Sequence, residues 1–242
     1  MAKIVPGNFK LKGTIDGRTH VHSATYGHHT RAPRGTHRKA IPNKILLKNS
    51  RRTGFINRVG SVVLAQLKEL GEGNRDTSTW FNILRRMKTC ESNLETDLLH
   101  ELEGLELHGK NWLQRFFHSP LSAEITVKGT KIMVRLITRV HPRFSKEAES
   151  YRYQLGLIYY TAPNKNCESE VRDSAWIMKD LKVPRLQFNF SNKKGTVCCL
   201  LCVRVIAKQG NEVIGSYWGN RVCVLKVFDV KKKKVNSVYS PR

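Results

Sequence analysis

From Leu121 onward the apolar residues stop recurring at helical steps and begin to alternate, and this change constrains the fold most tightly. Alternation sends successive side chains to opposite faces of a pleated strand, so such a run buries one face and wets the other. Seven runs read this way, over 123–127, 131–140, 151–160, 185–190, 196–208, 212–218 and 221–230. Gly129, Pro142, Pro163, Pro184, Gly195 and Gly210 punctuate them. Short strands at that spacing predict an antiparallel, Ig-like β-sandwich over residues 121–230. Val197-Cys-Cys-Leu-Leu-Cys-Val203 departs from alternation. It is nearly all apolar, as a central strand covered on both faces would be.

Ahead of residue 121 the period is helical. Phe55, Ile56, Val59, Val62, Val63 and Leu67 recur at three- and four-residue steps and predict a helix over 53–70, ended by Gly71-Glu-Gly73. Asp76-Thr-Ser-Thr79 offers N-caps for a second helix over about 80–90, with Trp80, Phe81, Leu84 and Met87 on one face. A third short helix fits within 94–103, before Gly104, and the aromatic stretch 111–117 is expected to dock the helices onto the strands. Near the N-terminus Phe9, Leu11 and Ile15 lead into Asp16-Gly17, a two-residue turn signal for a β-hairpin over 8–26. A lone hairpin is marginal in water, so it needs a further sheet, from this chain or from a neighbour. The expected class is α+β: an extended basic arm with its hairpin (1–52), a small helical middle (53–120), the sandwich (121–230) and a basic tail (231–242).

Charge points to the partner. The chain carries 43 Lys and Arg against 19 Asp and Glu, a formal net charge of +24. Residues 1–52 hold twelve cations and only Asp16, whereas 121–242 hold twenty-three cations against nine acids; the middle is balanced at −1. Such a surplus repels itself and attracts polyanions, nucleic acid ahead of an anionic membrane surface. The stretch 27–52 contains Arg31, Arg34, Arg38, Lys39, Lys44, Lys48, Arg51 and Arg52 and no acid. Pro33, Gly35 and Pro42 keep most of it from being one regular helix or strand. Lys131, Arg135 and Arg139 alternate with Met133, which predicts a solvated cationic strand face. Lys231, Lys232, Lys233 and Lys234 form a tail expected to be mobile unless bound. Arginine forks suit phosphate oxygens, and Tyr26, His28, His29 and His37 supply rings for stacking on unpaired bases.

Other chemistry has thinner support. His20-x-His22 places two rings on one strand face near His28-His29, but no thiol or carboxylate lies close in sequence, so no metal site is expected. In Cys198-Cys-x-x-Cys202 the first and last thiols face opposite to Cys199 and read as small hydrophobes. The six cysteines lack a framework spacing and no signal peptide precedes them, which implies reduced thiols in a cytoplasmic protein. No nucleophile elbow, phosphate loop or His-Glu-x-x-His is present. Glu101, Glu103 and Glu106, near His100 and His108, read as a solvated face or a contact for a basic surface. An enzyme and a cofactor are therefore not expected. No apolar run approaches the roughly 18 to 20 residues that span a bilayer.

Several short motifs resemble those of a known group. Met1-Ala-Lys, Lys12-Gly-Thr-Ile15 and the basic stretch are followed by Asn49-Ser-Arg-Arg-Thr-Gly-Phe-Ile-Asn-Arg58 and then by Leu102-Glu-Gly-Leu-Glu-Leu-His108. This order resembles an uncharacterised family of small proteins frequent in Bacteroidetes genomes, whose signature is Leu-x-Gly-Phe-Glu-Phe-Asn. Leu105 and Leu107 stand where that family has its aromatic pair. The resemblance implies a β-rich C-terminal half and carries no chemistry.

The function expected from these features is non-enzymatic: largely sequence-independent binding of RNA or DNA backbone by a basic structural protein within a nucleoprotein assembly. The alternative is a filament, tube or shell subunit whose N-terminal strand pairs with a neighbouring copy. Either way the expected partners are nucleic acid and other assembly subunits, and not a membrane.

Overall fold

The computed structural model describes residues 13–15, 18–25, 27–31, 43–71, 78–107, 121–138, 140–142, 148–162, 166–214, 221–230 and 234–238. It divides the chain into two units, Met1–Ser50 and Arg51–Arg242. In the first, β1 (Gly13–Ile15), β2 (Arg18–Ser23) and β3 (Gly27–Arg31) form one antiparallel sheet in that order. Ile15 pairs with Arg18 on either side of positions 16 and 17, the register a two-residue hairpin requires. The third strand is a correction to the sequence reading, which ends the hairpin at residue 26 and places residues 27–31 in the basic arm. They pair with β2, Thr19 opposite Arg31 and His22 opposite His28. Among the described residues, none of these three strands contributes to a hydrophobic core.

The first helix also starts earlier than its apolar period does. Helix α1 spans Lys44–Leu70, so Lys44, Lys48, Arg51 and Arg52 are helical and not part of an extended arm. Asn43 is the cap that sets the start: its Oδ1 accepts the Leu46 amide at 2.8 Å. The apolar stripe begins at Ile56 because the residues before it are exposed or only half-buried.

Helices α2 (Ser78–Thr89) and α3 (Glu95–His100) also lie in the helical middle. Among the described residues ten antiparallel strands follow: β4 (Ser122–Lys128), β5 (Lys131–Ile137), β6 (Ser150–Thr161), β7 (Asn166–Asp173), β8 (Ile177–Met178), β9 (Leu186–Ser191), β10 (Thr196–Gln209), β11 (Glu212–Val213), β12 (Arg221–Asp229) and β13 (Lys234–Val238). In the larger sheet β6 and β10 lie side by side at the centre. Strands β11 and β12 pair with the far edge of β10, and β7 and β8 with the far edge of β6. The smaller sheet runs β13-β4-β5-β9.

Two cores account for the layering. Ile125, Val134, Leu136, Phe188 and Phe190 of the smaller sheet pack with Tyr151, Tyr153, Leu157, Leu201 and Val203 of the larger one. The opposite face of the larger sheet, through Ile158, Tyr160, Cys198, Leu200 and Val224, packs against Val59, Val63, Leu67, Ile83, Met87, Leu98 and Leu99 of the helices. Strand β10 is therefore buried on both faces from Cys198 to Ala207, as the apolar run Val197–Val203 predicts, and the burial continues through Arg204. At one side the sheets curl together. Glu170 of β7 accepts the Ser191 amide at 3.2 Å, and Arg172 donates to the Asn189 carbonyl, both on the free edge of β9.

The end of α1 is fixed by a buried cation. Arg204 of β10 donates to the Leu70 carbonyl at 3.4 Å and to Gln154 Oε1 at 3.1 Å, placing its charge at the negative end of the helix. Gly156 makes room for that end: a Cβ there would lie 2.6 Å from a Leu70 methyl. The segment 102–107 has its own task. Gly104, at φ +72°, donates to the Val224 carbonyl at 2.8 Å, Val224 donates to Leu105, and Leu107 donates to Val222. This pairing covers the open edge of β12 and buries Leu102, Leu105 and Leu107.

Several strand readings change. Strand β5 stops at Ile137 and not at 140, and β11 covers only the first two residues of the expected 212–218. Strands β7, β8 and β13 were not foreseen. Strand β13 takes Lys234 out of the supposedly mobile tail by pairing it with Thr126 of β4. The aromatic stretch 111–117 lies outside the described residues.

Candidate nucleic-acid interface

The outer face of the smaller sheet is built by alternation on β5. Ile132, Val134 and Leu136 point into the core, which leaves Lys131 and Arg135 exposed on the other side. Register supplies their neighbours. Arg135 lies opposite Glu124, with 3.4 Å between Nη1 and Oε2 and both side chains about half exposed (55% and 45%). On the other flank β9 alternates buried Leu186, Phe188 and Phe190 with exposed Gln187, Asn189 and Ser191. The result is an open face of cations, amides and hydroxyls, able to donate to and accept from a polar ligand.

One corner of this face concentrates positive charge. Lys128 and Lys131 are direct partners across the β4–β5 turn, whose Gly129 sits at φ +53°. Like charges in that relation repel, at a cost that an anion between them would offset. Asn192 holds the next loop against the same turn: its amide donates to the Thr130 carbonyl at 2.8 Å and its Nδ2 to the Gly129 carbonyl at 2.7 Å. That loop continues into Lys193 and Lys194. Lys193 pairs with Glu168 and lies 4.8 Å from the Tyr159 ring centre, whereas Lys194 is exposed. Sequence reading found Lys131 and missed Lys128, Lys193 and Lys194, because only strand register brings them together. It also missed Trp176. Arg152 lies 4.9 Å and Lys208 4.7 Å from that ring, a basic-aromatic patch, although Arg152 also pairs with Asp173 at 2.9 Å.

The other expected residues divide into three groups. Arg31, Lys44, Lys48 and Arg51 are exposed on β3 and α1. Arg52 is engaged inside the protein, donating to the carbonyls of Cys90 and Glu91 and to Asn93 Oδ1, so it braces the end of α2. His28 and His29 are half-buried neighbours on β3, where adjacent side chains take opposite faces, and His29 Nδ1 lies 3.2 Å from the Gly27 carbonyl. Tyr26, Arg34, His37, Arg38, Lys39, Arg139, Lys231, Lys232 and Lys233 lie outside the described residues, and Lys234 is described in its backbone alone. The early start of α1 exposes Ile45 and Leu46 beside Lys44 and Lys48. This is a basic and apolar helical turn of the kind that an anionic surface attracts.

All six cysteines are thiols, none of them in a disulfide. Cys198 and Cys202 enter the helix-side core and Cys199 the other, as alternation predicts. Among the described residues no helix is long and apolar enough to cross a membrane. No protein-family model matches the chain, and no curated protein matches it.

Proposed function

We propose that the protein is a non-enzymatic, basic structural protein of the cytoplasm that binds RNA or DNA through the phosphate backbone, within a nucleoprotein assembly. The observation that supports this most directly is the lysine corner. Lys128 and Lys131 face each other in register, Lys194 stands exposed in the loop tied against them, and the nearby carboxylate of Glu168 is matched to Lys193. A fold that tolerates this repulsion on an open face is suited to a polyanion. In this reading an Ig-like sandwich is the rigid carrier: its two sheets share a core, one outer face takes the helices and the other takes the ligand.

A filter-binding titration of the full chain with single-stranded RNA and double-stranded DNA, from about 50 to 200 mM salt, tests the reading. Six to ten phosphate contacts should weaken binding by roughly 10³- to 10⁵-fold over that range. Binding that is weak and flat with salt would sink it. So would equal retention on phosphatidylserine vesicles with none on nucleic acid, which would assign the charge to a membrane surface.

A second reading is favoured by one observation. The β1–β2–β3 sheet has no buried side chain among its described residues, so it gains little from folding alone. Pairing one of its edge strands with a neighbouring copy would make the chain an assembly subunit. Deleting residues 1–26 separates the possibilities by light scattering: an assembly subunit becomes monomeric and keeps its thermal midpoint, whereas a sheet needed within its own chain leaves the protein destabilised.

A further inference from the structure

A row of side chains crosses the helix-covered face of the larger sheet. Cys167 of β7 pairs with Tyr160 of β6, Tyr160 with Cys198 of β10, and Cys198 with Asp229 of β12. Directly paired residues share a face, so all four point toward the helices. Helix α3 lies above, and two of its residues reach this row. Glu95 accepts the Tyr160 hydroxyl at 2.6 Å, and His100 Nε2 lies 3.1 Å from Asp229 Oδ1. The imidazole, the Asp229 carboxylate and the Cys198 thiol present one ligand atom each, all within 4.8 Å of one another.

We propose that His100, Cys198 and Asp229 form a site for a borderline-soft divalent cation, zinc foremost, that ties α3 to the larger sheet. The donor set fits that ion. Zinc takes imidazole nitrogen and carboxylate oxygen at about 2.0–2.2 Å and thiolate sulfur at about 2.3 Å, so tetrahedral ligand atoms stand roughly 3.3–3.6 Å apart. The imidazole–carboxylate pair is already near that separation, and the thiol closes the remainder by a shift of about 1 Å. Magnesium and calcium, which take oxygen ligands, are disfavoured by the sulfur and the imidazole.

Burial of the three groups is graded in a way that gives access. Cys198 is fully buried at the floor, while the His100 and Asp229 side chains are 36% and 28% exposed at the mouth. An ion arrives through the polar side, and water completes the fourth position there. Binding displaces the thiol proton to solvent and forms the metal–sulfur bond; no electron is transferred. The ligands come from α3, β10 and β12, elements far apart in sequence, so the ion closes long loops and holds the folded state. A nucleophilic role for the same thiol fits less well. The site is dry at the sulfur, and burial pushes the Cys198 thiol up, with Asp229 and Cys167 adding to the effect.

The test uses the full chain, stripped of metal with a chelator and titrated with Co²⁺ and then Zn²⁺. One equivalent of Co²⁺ should bind with thiolate-to-cobalt charge-transfer absorption, and Zn²⁺ should abolish that absorption by displacement. Cys198→Ser should remove the charge-transfer band, and His100→Gln should weaken Co²⁺ binding by more than about 100-fold, beyond what loss of an outer-shell partner costs. The half-exposed His100 decides the matter if Cys198→Ser fails to fold. No charge-transfer band in the wild type, a band that survives Cys198→Ser, or unchanged affinity in His100→Gln would each overturn the site.

Discussion

The two sheets of residues 51–242 share a core and alternate in the same way, yet their other faces meet different surroundings. Helices cover the outer face of the larger sheet at its centre, so polar groups there are tied inside the protein: Arg204 to the Leu70 carbonyl and Gln154, Tyr160 to Glu95, Lys226 to Glu103. The smaller sheet leaves Lys131, Arg135, Gln187 and Asn189 in solvent, with little more than the exposed Arg135–Glu124 pair to hold them. A positive charge therefore means different things on the two. On the covered sheet it is part of the structure, because a desolvated cation is stable only with partners. On the open sheet water already satisfies it, and it remains available to a ligand.

The contrast should break most forcefully at alkaline pH. Burial pushes Tyr151 and Cys167 up to about 12 and raises Tyr153, Tyr159, Tyr160, Cys198, Cys199 and Cys202 well above their ordinary values. These groups hold their protons more tightly when folded. Their stabilisation is complete below the unfolded values, 9.0 for the thiols and 10.0 for the phenols, and is lost as pH rises toward the folded ones. Each contributes a loss of about 1.4 kcal/mol per pH unit in that window. The unfolding free energy from urea titration should stay level to about pH 8 and then fall steeply, far enough to unfold the protein near pH 11. A level free energy throughout would show that the sheet is not sealed.

Smaller effects follow from single contacts on the covered side. Arg204→Ala removes the cap from α1 and leaves two acceptors behind, at a cost of about 2–4 kcal/mol in urea unfolding. A loss below about 1 kcal/mol would mean that the end of α1 is held by Leu70 packing alone. Tyr160→Phe keeps the ring and loses one hydrogen bond to a carboxylate that can take up water, so about 1 kcal/mol is expected by the same measurement.

How much of this was legible in the sequence depends on the range of the interaction. The central strand over 196–208 was readable because two-sided burial leaves the apolar run Val197–Val203 within it, and the hairpin because Asp16-Gly17 is a local turn signal. The start of α1 was missed because Asn43 caps a stretch without buried residues, and a search for an apolar period passes over it. Strand β7 escaped for a related reason: as an edge strand it alternates charges such as Glu168, Glu170 and Arg172 with neighbours none of which is fully buried. The lysine corner and the His100–Cys198–Asp229 group were out of reach altogether. Both are products of register and docking, which join residues from about 60 to 130 positions apart. In the Leu102–Leu107 stretch the sequence shows only a loose likeness to a family signature, from which Leu105 and Leu107 depart, and the physical role of these leucines is to cover the edge of β12.

The smallest expected change in stability is also the sharpest test of the open face. Lys128→Gln, Lys131→Gln and Lys194→Gln together remove three exposed charges and no buried contact, so unfolding in urea should move by no more than about 0.5 kcal/mol. Relief of the Lys128–Lys131 repulsion sets the sign toward slight stabilisation. Nucleic-acid binding should respond quite differently. Removing a lysine from a phosphate flattens the dependence of log K on log salt by about 0.7 to 0.9, so the triple variant should show a slope shallower by about 2 to 3. An unchanged slope would remove this corner from the interface and leave the charge of residues 27–52 to account for binding alone. A loss of more than about 2 kcal/mol would instead show the corner to be structural, and the distinction between the two sheets would fail where it is drawn most clearly.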